Sequence, residues 1–189
     1  MRMLTSQALV LSAFFLAAMG CGGGEEESSC GPTRGEIVGI SDGDTLKVEA
    51  EDGETYTVRL LLVDTPETNV DPGESPDCYG AEAKAFTSGF KYHEVKLSYE
   101  PGDECLDRYG RLLAYVTPVG AKESINEQLV AEGYARICRI DCDESRYDEF
   151  VALEDMAIND ALGVWSEETC PGATDLDTWG ASGCNQRCR

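Results

Sequence analysis

Thr45-Leu46-Lys47-Val48-Glu49, which alternates polar and apolar residues, and Tyr56-Thr57-Val58-Arg59-Leu60-Leu61-Leu62-Val63 lie on either side of Asp52-Gly53. Asp-Gly tolerates the positive φ of a tight two-strand turn, so this pattern specifies a β-hairpin. Antiparallel pairing then brings Asp44 and Asp64, about eight to eleven residues from the tip, toward the same end of one sheet. Further strands are expected over 36–41, 94–99, 111–117 and 134–140.

Helical signals follow. Ser124-Ile125-Asn126-Glu127 reads as a capping box, with Ile125, Leu129 and Val130 on one face and Gly133 as the stop. Phe150, Leu153, Ala157, Ile158 and Ala161 recur at helical spacing and predict a helix over 145–162. An alanine-rich stretch predicts another over 80–91. About five closely turned strands with about three helices predict an α+β domain built on a five-stranded Greek-key barrel of the OB type.

The first twenty residues stand outside that domain. Arg2 followed by the apolar run Ala8 to Ala18 reads as an export signal. Ala18-Met19-Gly20-Cys21 resembles a bacterial lipobox, which would lipidate Cys21, and a signal peptide cut near Ala18 is the competing reading. Residues 21–34 read as a flexible tether, 35–168 as the domain and 169–189 as a cysteine-rich tail. With Cys21 lipidated, eight of the nine cysteines remain, an even set that an oxidising compartment would pair as disulfides. The x3 spacings Cys138/Cys142 and Cys184/Cys188 leave a zinc site as the alternative. Gly22, where an inner-membrane retention signal has aspartate, favours the outer membrane of a cell envelope.

Fifteen Lys and Arg stand against 36 Asp and Glu, a formal net charge of −21. That is the wrong sign for gathering a polyanion unless salt or divalent cations screen it. The single histidine, His93, removes His-x-x-x-His zinc chemistry and paired-histidine centres, and its place predicts an exposed strand edge. Trp165 reads as a core aromatic docking the C-terminal segment.

Chemistry concentrates in Arg59-Leu60-Leu61-Leu62-Val63-Asp64-Thr65-Pro66-Glu67, a strand bracketed by a cation and two carboxylates. Asp107-Arg108-Tyr109-Gly110-Arg111 adds a second arginine ahead of another apolar run. Asp44 and Asp64, with the carbonyl of Thr65, would make a hard oxygen site suited to calcium. Planar guanidinium groups beside it would suit a phosphate.

These segments resemble the staphylococcal nuclease family. The resemblance extends through Asp42-Gly43-Asp44-Thr45, Tyr79-Gly80-x-Glu82-Ala83, Asn126-Glu127-x-Leu129-Val130 and Val164-Trp165-Ser166-Glu167, in order over about residues 35–168. It implies a calcium-dependent phosphodiesterase that cleaves DNA or RNA, preferably single-stranded, with little sequence preference and leaves 3′-phosphates. By it Asp44, Asp64 and Thr65 bind Ca2+ with Asp42 in support, Glu67 serves the attacking water, and Arg59 and Arg111 clasp the phosphate. Arg108 and Tyr109 would contact substrate at the cleft edge. Arg139 stands where the family has a stacking tyrosine and would compensate by stacking or phosphate contact. The chain is expected to act as an exported, lipid-anchored monomer. Changing Glu67 or Arg59 should slow cleavage with little loss of fold. A noncatalytic calcium- or ligand-binding module of the envelope is the rival reading, to which the acidic surface is better suited.

Overall fold

The computed structural model describes residues 30–68, 75–101, 105–140 and 144–171. Five strands close a barrel: β1 (Arg34–Asp42), β2 (Thr45–Ala50), β3 (Thr55–Leu60), β5 (Glu94–Ser98) and β6 (Leu112–Pro118). Their order is β1-β2-β3-β6-β5. The hairpin predicted at Asp52-Gly53 joins β2 to β3, with Gly53 at φ 81° and Thr45 opposite Arg59. Closure comes from the one parallel pairing of the barrel, β3 with β6, which sets Arg59 beside Leu113.

Three helices complete an α+β fold of the OB type: α1 (Gly80–Ser88), α2 (Ile125–Ala131) and α3 (Tyr147–Asn159). The capping box of α2 is formed as expected, with Ser124 accepting from the Glu127 N–H and the Glu127 carboxylate returning to the Ser124 N–H. At the other end Gly133 takes φ 73°, and its missing Cβ leaves room for the Leu162 carbonyl. Asn126, fully buried, ties α2 to the barrel: its amide donates to the Leu61 and Ala114 carbonyls, and its oxygen accepts from the Val116 N–H. Helix α3 is shorter than the 145–162 expected, and α1 ends before 91.

Two strand expectations are corrected. The run 56–63 is not one strand: β3 ends at Leu60, and a short β4 (Leu62–Asp64) leaves the barrel. It pairs with β7 (Arg136–Cys138), so the predicted strand 134–140 is shorter and lies in a separate two-stranded sheet. The corner is made by Leu62 at φ 58°. A non-glycine residue there costs about 1–2 kcal/mol. In return Leu60, Leu61, Leu62 and Val63 are all at most 4% exposed, whereas the period-two geometry of a continuous strand sends successive side chains to opposite faces. Each additional buried Leu or Val contributes about 1.5–3 kcal/mol, so burial wins.

Disulfides join Cys30 to Cys105 and Cys78 to Cys170, and Cys138 is disulfide-bonded as well. The zinc alternative at Cys138 is thereby set aside. Cys21 and the tail cysteines Cys184 and Cys188 lie outside the described residues. Trp165 is buried against Ala157, Val164 and Tyr79, and His93 is exposed at the start of β5 with its ring against Phe90.

Candidate active site

The turn from β1 to β2 carries Asp42, Gly43 and Asp44. A Cβ on Gly43 would fall 2.6 Å from the Thr65 hydroxyl oxygen, so glycine is what lets this turn lie against the segment after β4. Helix α1 fastens the turn from outside, with Thr87 Oγ1 donating to the Gly43 carbonyl at 2.6 Å.

Arg59, at the end of β3, is 7% exposed. Its guanidinium lies 3.0 Å from Asp44 Oδ2 and 3.2 Å from Asp64 Oδ1. It also donates to the carbonyls of Leu60 and Val63. Two acids, one from the β1–β2 turn and one from β4, thus share one buried cation. Thr65, 3% exposed, donates its N–H to Asp44 Oδ2 at 3.4 Å.

Even with Arg59 present, negative charge is in excess. Burial, followed by the Asp44 carboxylate, pushes Asp64 up to about 6 against the opposing pull of Arg59. Glu67 is pushed up to about 7 by burial, by a side-chain hydrogen bond with Asp42 and by the charges of Asp42, Asp44 and Asp64. Among the described residues no group of three or more His, Cys, Asp or Glu side chains forms a metal cage. The donors that do converge, Asp44 and Asp64 beside Thr65, are hard oxygens with surplus charge, which fits a calcium-type cation completed by other oxygens.

Arg111 reaches this cluster from β6's start. Its Nη1 donates to Thr45 Oγ1 at 3.3 Å, and that hydroxyl donates to Asp44 Oδ1 at 2.9 Å. Asp107 fixes the arginine from behind, its Oδ2 2.6 Å from Arg111 Nε. Burial opposes the charge of Asp107, but N–H groups of Arg111 and Tyr109 and the guanidinium hold its pKa below the ordinary value. Tyr109, 68% exposed, has Arg108 and Arg111 over its ring at 4.8 and 5.3 Å.

Arg139 pairs with Glu144 at 3.2 Å and stacks over Tyr147 at 4.2 Å. From the same segment β7 delivers Arg136, directly across from Asp64 in register and 4.0 Å from its carboxylate. Sequence reasoning assigned Arg136 no role, because the partner of its strand could not be read. Asp77 was missed as well: its carboxylate accepts from the Glu67 N–H, and its own N–H donates to the Glu67 carbonyl, both at 3.1 Å. No periodicity marks that position.

A family model described as staphylococcal nuclease homologue matches residues 57–167. The chain is 41% identical over 128 residues to Endonuclease YncB of Bacillus subtilis (strain 168), covering 67% of this chain and 58% of that protein. It is 39% identical over 128 residues to SPbeta prophage-derived endonuclease YokF of the same organism, covering 67% of this chain and 42% of that protein. With Thermonuclease of Staphylococcus hyicus the identity is 38% over 129 residues, or 68% of this chain and 73% of that protein. The chain therefore spans less than two thirds of the two Bacillus relatives.

Proposed function

Because the chain belongs to the staphylococcal nuclease homologue family, we propose that its barrel cleft is a calcium-dependent nuclease centre. It hydrolyses phosphodiester bonds of DNA or RNA, with single strands preferred and little sequence preference, and leaves 3′-phosphates. The supporting observation is the continuous network that links Asp44, Arg59 and Asp64 to Arg111 through Thr45. Asp42 brings Glu67 to the same group.

In this reading Asp44, Asp64 and the Thr65 carbonyl hold calcium. When bound, the ion supplies positive charge to the phosphate's non-bridging oxygens. Glu67 accepts the proton of the attacking water, and Asp77 steadies its backbone. Arg111, tied only to a hydroxyl on the cleft side, offers the rest of its fork to phosphate. Arg59 serves as counter-ion to both acids, and its guanidinium would stabilise charge that develops on the phosphate in the transition state. Tyr109 and Arg108 supply a stacking platform and a cation at the rim. Single strands suit such a rim, because their bases are free to stack. Arg139 adds a phosphate contact farther along.

The N-terminal segment fits export and lipidation at Cys21, which anchors the enzyme in the cell envelope, with the outer membrane favoured. The disulfides Cys30–Cys105 and Cys78–Cys170 support an oxidising compartment. Net charge −21 favours the second reading, a noncatalytic calcium- or ligand-binding module. Digestion of single-stranded DNA separates the two. The unsubstituted protein should cleave with calcium and stop with EDTA. Glu67→Gln, which retains a donor toward Asp42, should fold normally and lose about 10²–10⁴-fold in rate. Intact DNA in calcium across a range of salt would sink the nuclease reading.

A further inference from the structure

Most cations near the cleft are already spoken for by acids. Arg59 faces Asp44 and Asp64, Arg136 faces Asp64, Arg111 faces Asp107 and Arg139 faces Glu144. Lys84 differs. It projects from α1 beside the buried residues Ala83 and Thr87, is half-buried itself, and places its Nζ 3.3 Å from Thr68 Oγ1. That hydroxyl is neutral, and Lys84 forms no ion pair with any described residue.

Its position is close to the proposed chemistry. Thr68 Oγ1 donates to Asp42 Oδ1 at 3.0 Å, and Thr68 directly follows Glu67 in the chain. Lys84 therefore touches the residue next to Glu67 and, through its hydroxyl, is linked to Asp42. Helix α1 holds the lysine stem in place, since Thr87, one turn on, is bonded to the Gly43 carbonyl. A compact ammonium charge with hydrogens left over, at the edge of an acidic cleft, suits a phosphate oxygen.

Building on the nuclease reading, we propose that Lys84 is a substrate-binding residue: it grips a backbone phosphate neighbouring the one attacked. It thereby supplies local positive charge where the protein as a whole repels its substrate.

The test compares Lys84→Gln and Lys84→Arg with Lys91→Gln, an exposed lysine whose loss changes net charge equally. Binding of a labelled single-stranded DNA oligonucleotide to each, in a Glu67→Gln background, is followed across salt, and cleavage kinetics are measured with Glu67 intact. Loss of one phosphate contact should lower the slope of log affinity against log salt by about 0.7 for a single strand. Lys84→Gln should show that change and a several-fold rise in KM with kcat nearly unaltered, and Lys84→Arg should restore both. Identical slopes and KM for Lys84→Gln and Lys91→Gln overturn the assignment. So does a fall in stability or kcat with binding unchanged, the mark of a structural prop. An unsubstituted protein that neither binds nor cleaves overturns the nuclease reading itself, which distinguishes the two failures.

Discussion

Arg59 and Asp64 form an ion pair at 3.2 Å although they stand five residues apart in one apolar run. In an unbroken strand an odd separation sends two side chains to opposite faces. They meet because β3 ends at Leu60 and Leu62 adopts φ 58°. A corner in the backbone, with no extra residue inserted, converts a strand pattern into a site.

Leu62→Ile should therefore be unusually costly for an isomeric exchange. A β-branched residue at positive φ adds strain on the order of 1–3 kcal/mol. Leu60→Ile, inside β3, should cost less than about 1.5 kcal/mol. Urea denaturation of both variants checks the contrast, and equal losses would remove the corner from the argument.

Arg59→Gln should lose both activity and stability. The expectation that Arg59 could be changed with little loss of fold does not survive its 7% exposure and two carboxylate partners. Stranding buried charge costs about 3–5 kcal/mol. Denaturation should show a loss of that order near neutral pH, and added calcium should recover part of it. A variant as stable as the parent would mean that the acids are solvated.

Calcium should raise the Tm of the unsubstituted protein, since a ligand that binds only the folded state stabilises it by about 2.7 kcal/mol at a hundred times its Kd. Calorimetry with and without EDTA measures this. Asp64→Asn should abolish most of the rise, while Asp107→Asn, behind Arg111, should leave it in place.

Glu127 gives a pH-dependent contribution with a definite sign. Burial works to raise its pKa, but Ser124 and Arg146 outweigh it and hold the value below the ordinary 4.5. A depressed carboxylate stabilises the fold fully above its unfolded pKa and loses that effect as pH falls through the folded one. The stability gap between parent and Glu127→Gln should thus be constant near neutrality and narrow on acidification below about pH 4.5. A gap independent of pH would show that the carboxylate's charge has no part in the cap.

Much of this was legible in the sequence because local rules were obeyed. Asp52-Gly53 specified the hairpin, Ser124 with Glu127 specified the start of α2, and both features are formed. Pairing about that hairpin sets Asp44 beside the end of β3, but Asp64 returns to it only through the corner at Leu62, outside the hairpin. What could not be read was nonlocal. The break at Leu62 depends on burying four consecutive apolar side chains, and nothing in Leu60-Leu61-Leu62-Val63 marks which one turns. Arg136 opposite Asp64, and Asp77 against Glu67, arise from pairings whose partners carry no shared pattern. The role expected of Arg139 came from the family resemblance, whereas its engagement with Glu144 and Tyr147 depends on how the start of α3 packs against the end of β7.

The parallel pairing of β3 with β6 has a consequence for the order of events in folding. Its partners, Arg59 and Leu113, are far apart along the chain, and contacts of that separation form slowly because a long loop must close first. Arg111 immediately precedes this strand, so the two arginines are brought to the same end of the barrel only when this seam is sealed. A half-folded chain can display the β1–β2–β3 meander and its acids, but never both guanidinium groups together. Recovery of activity during refolding should consequently not precede the pairing of β3 with β6.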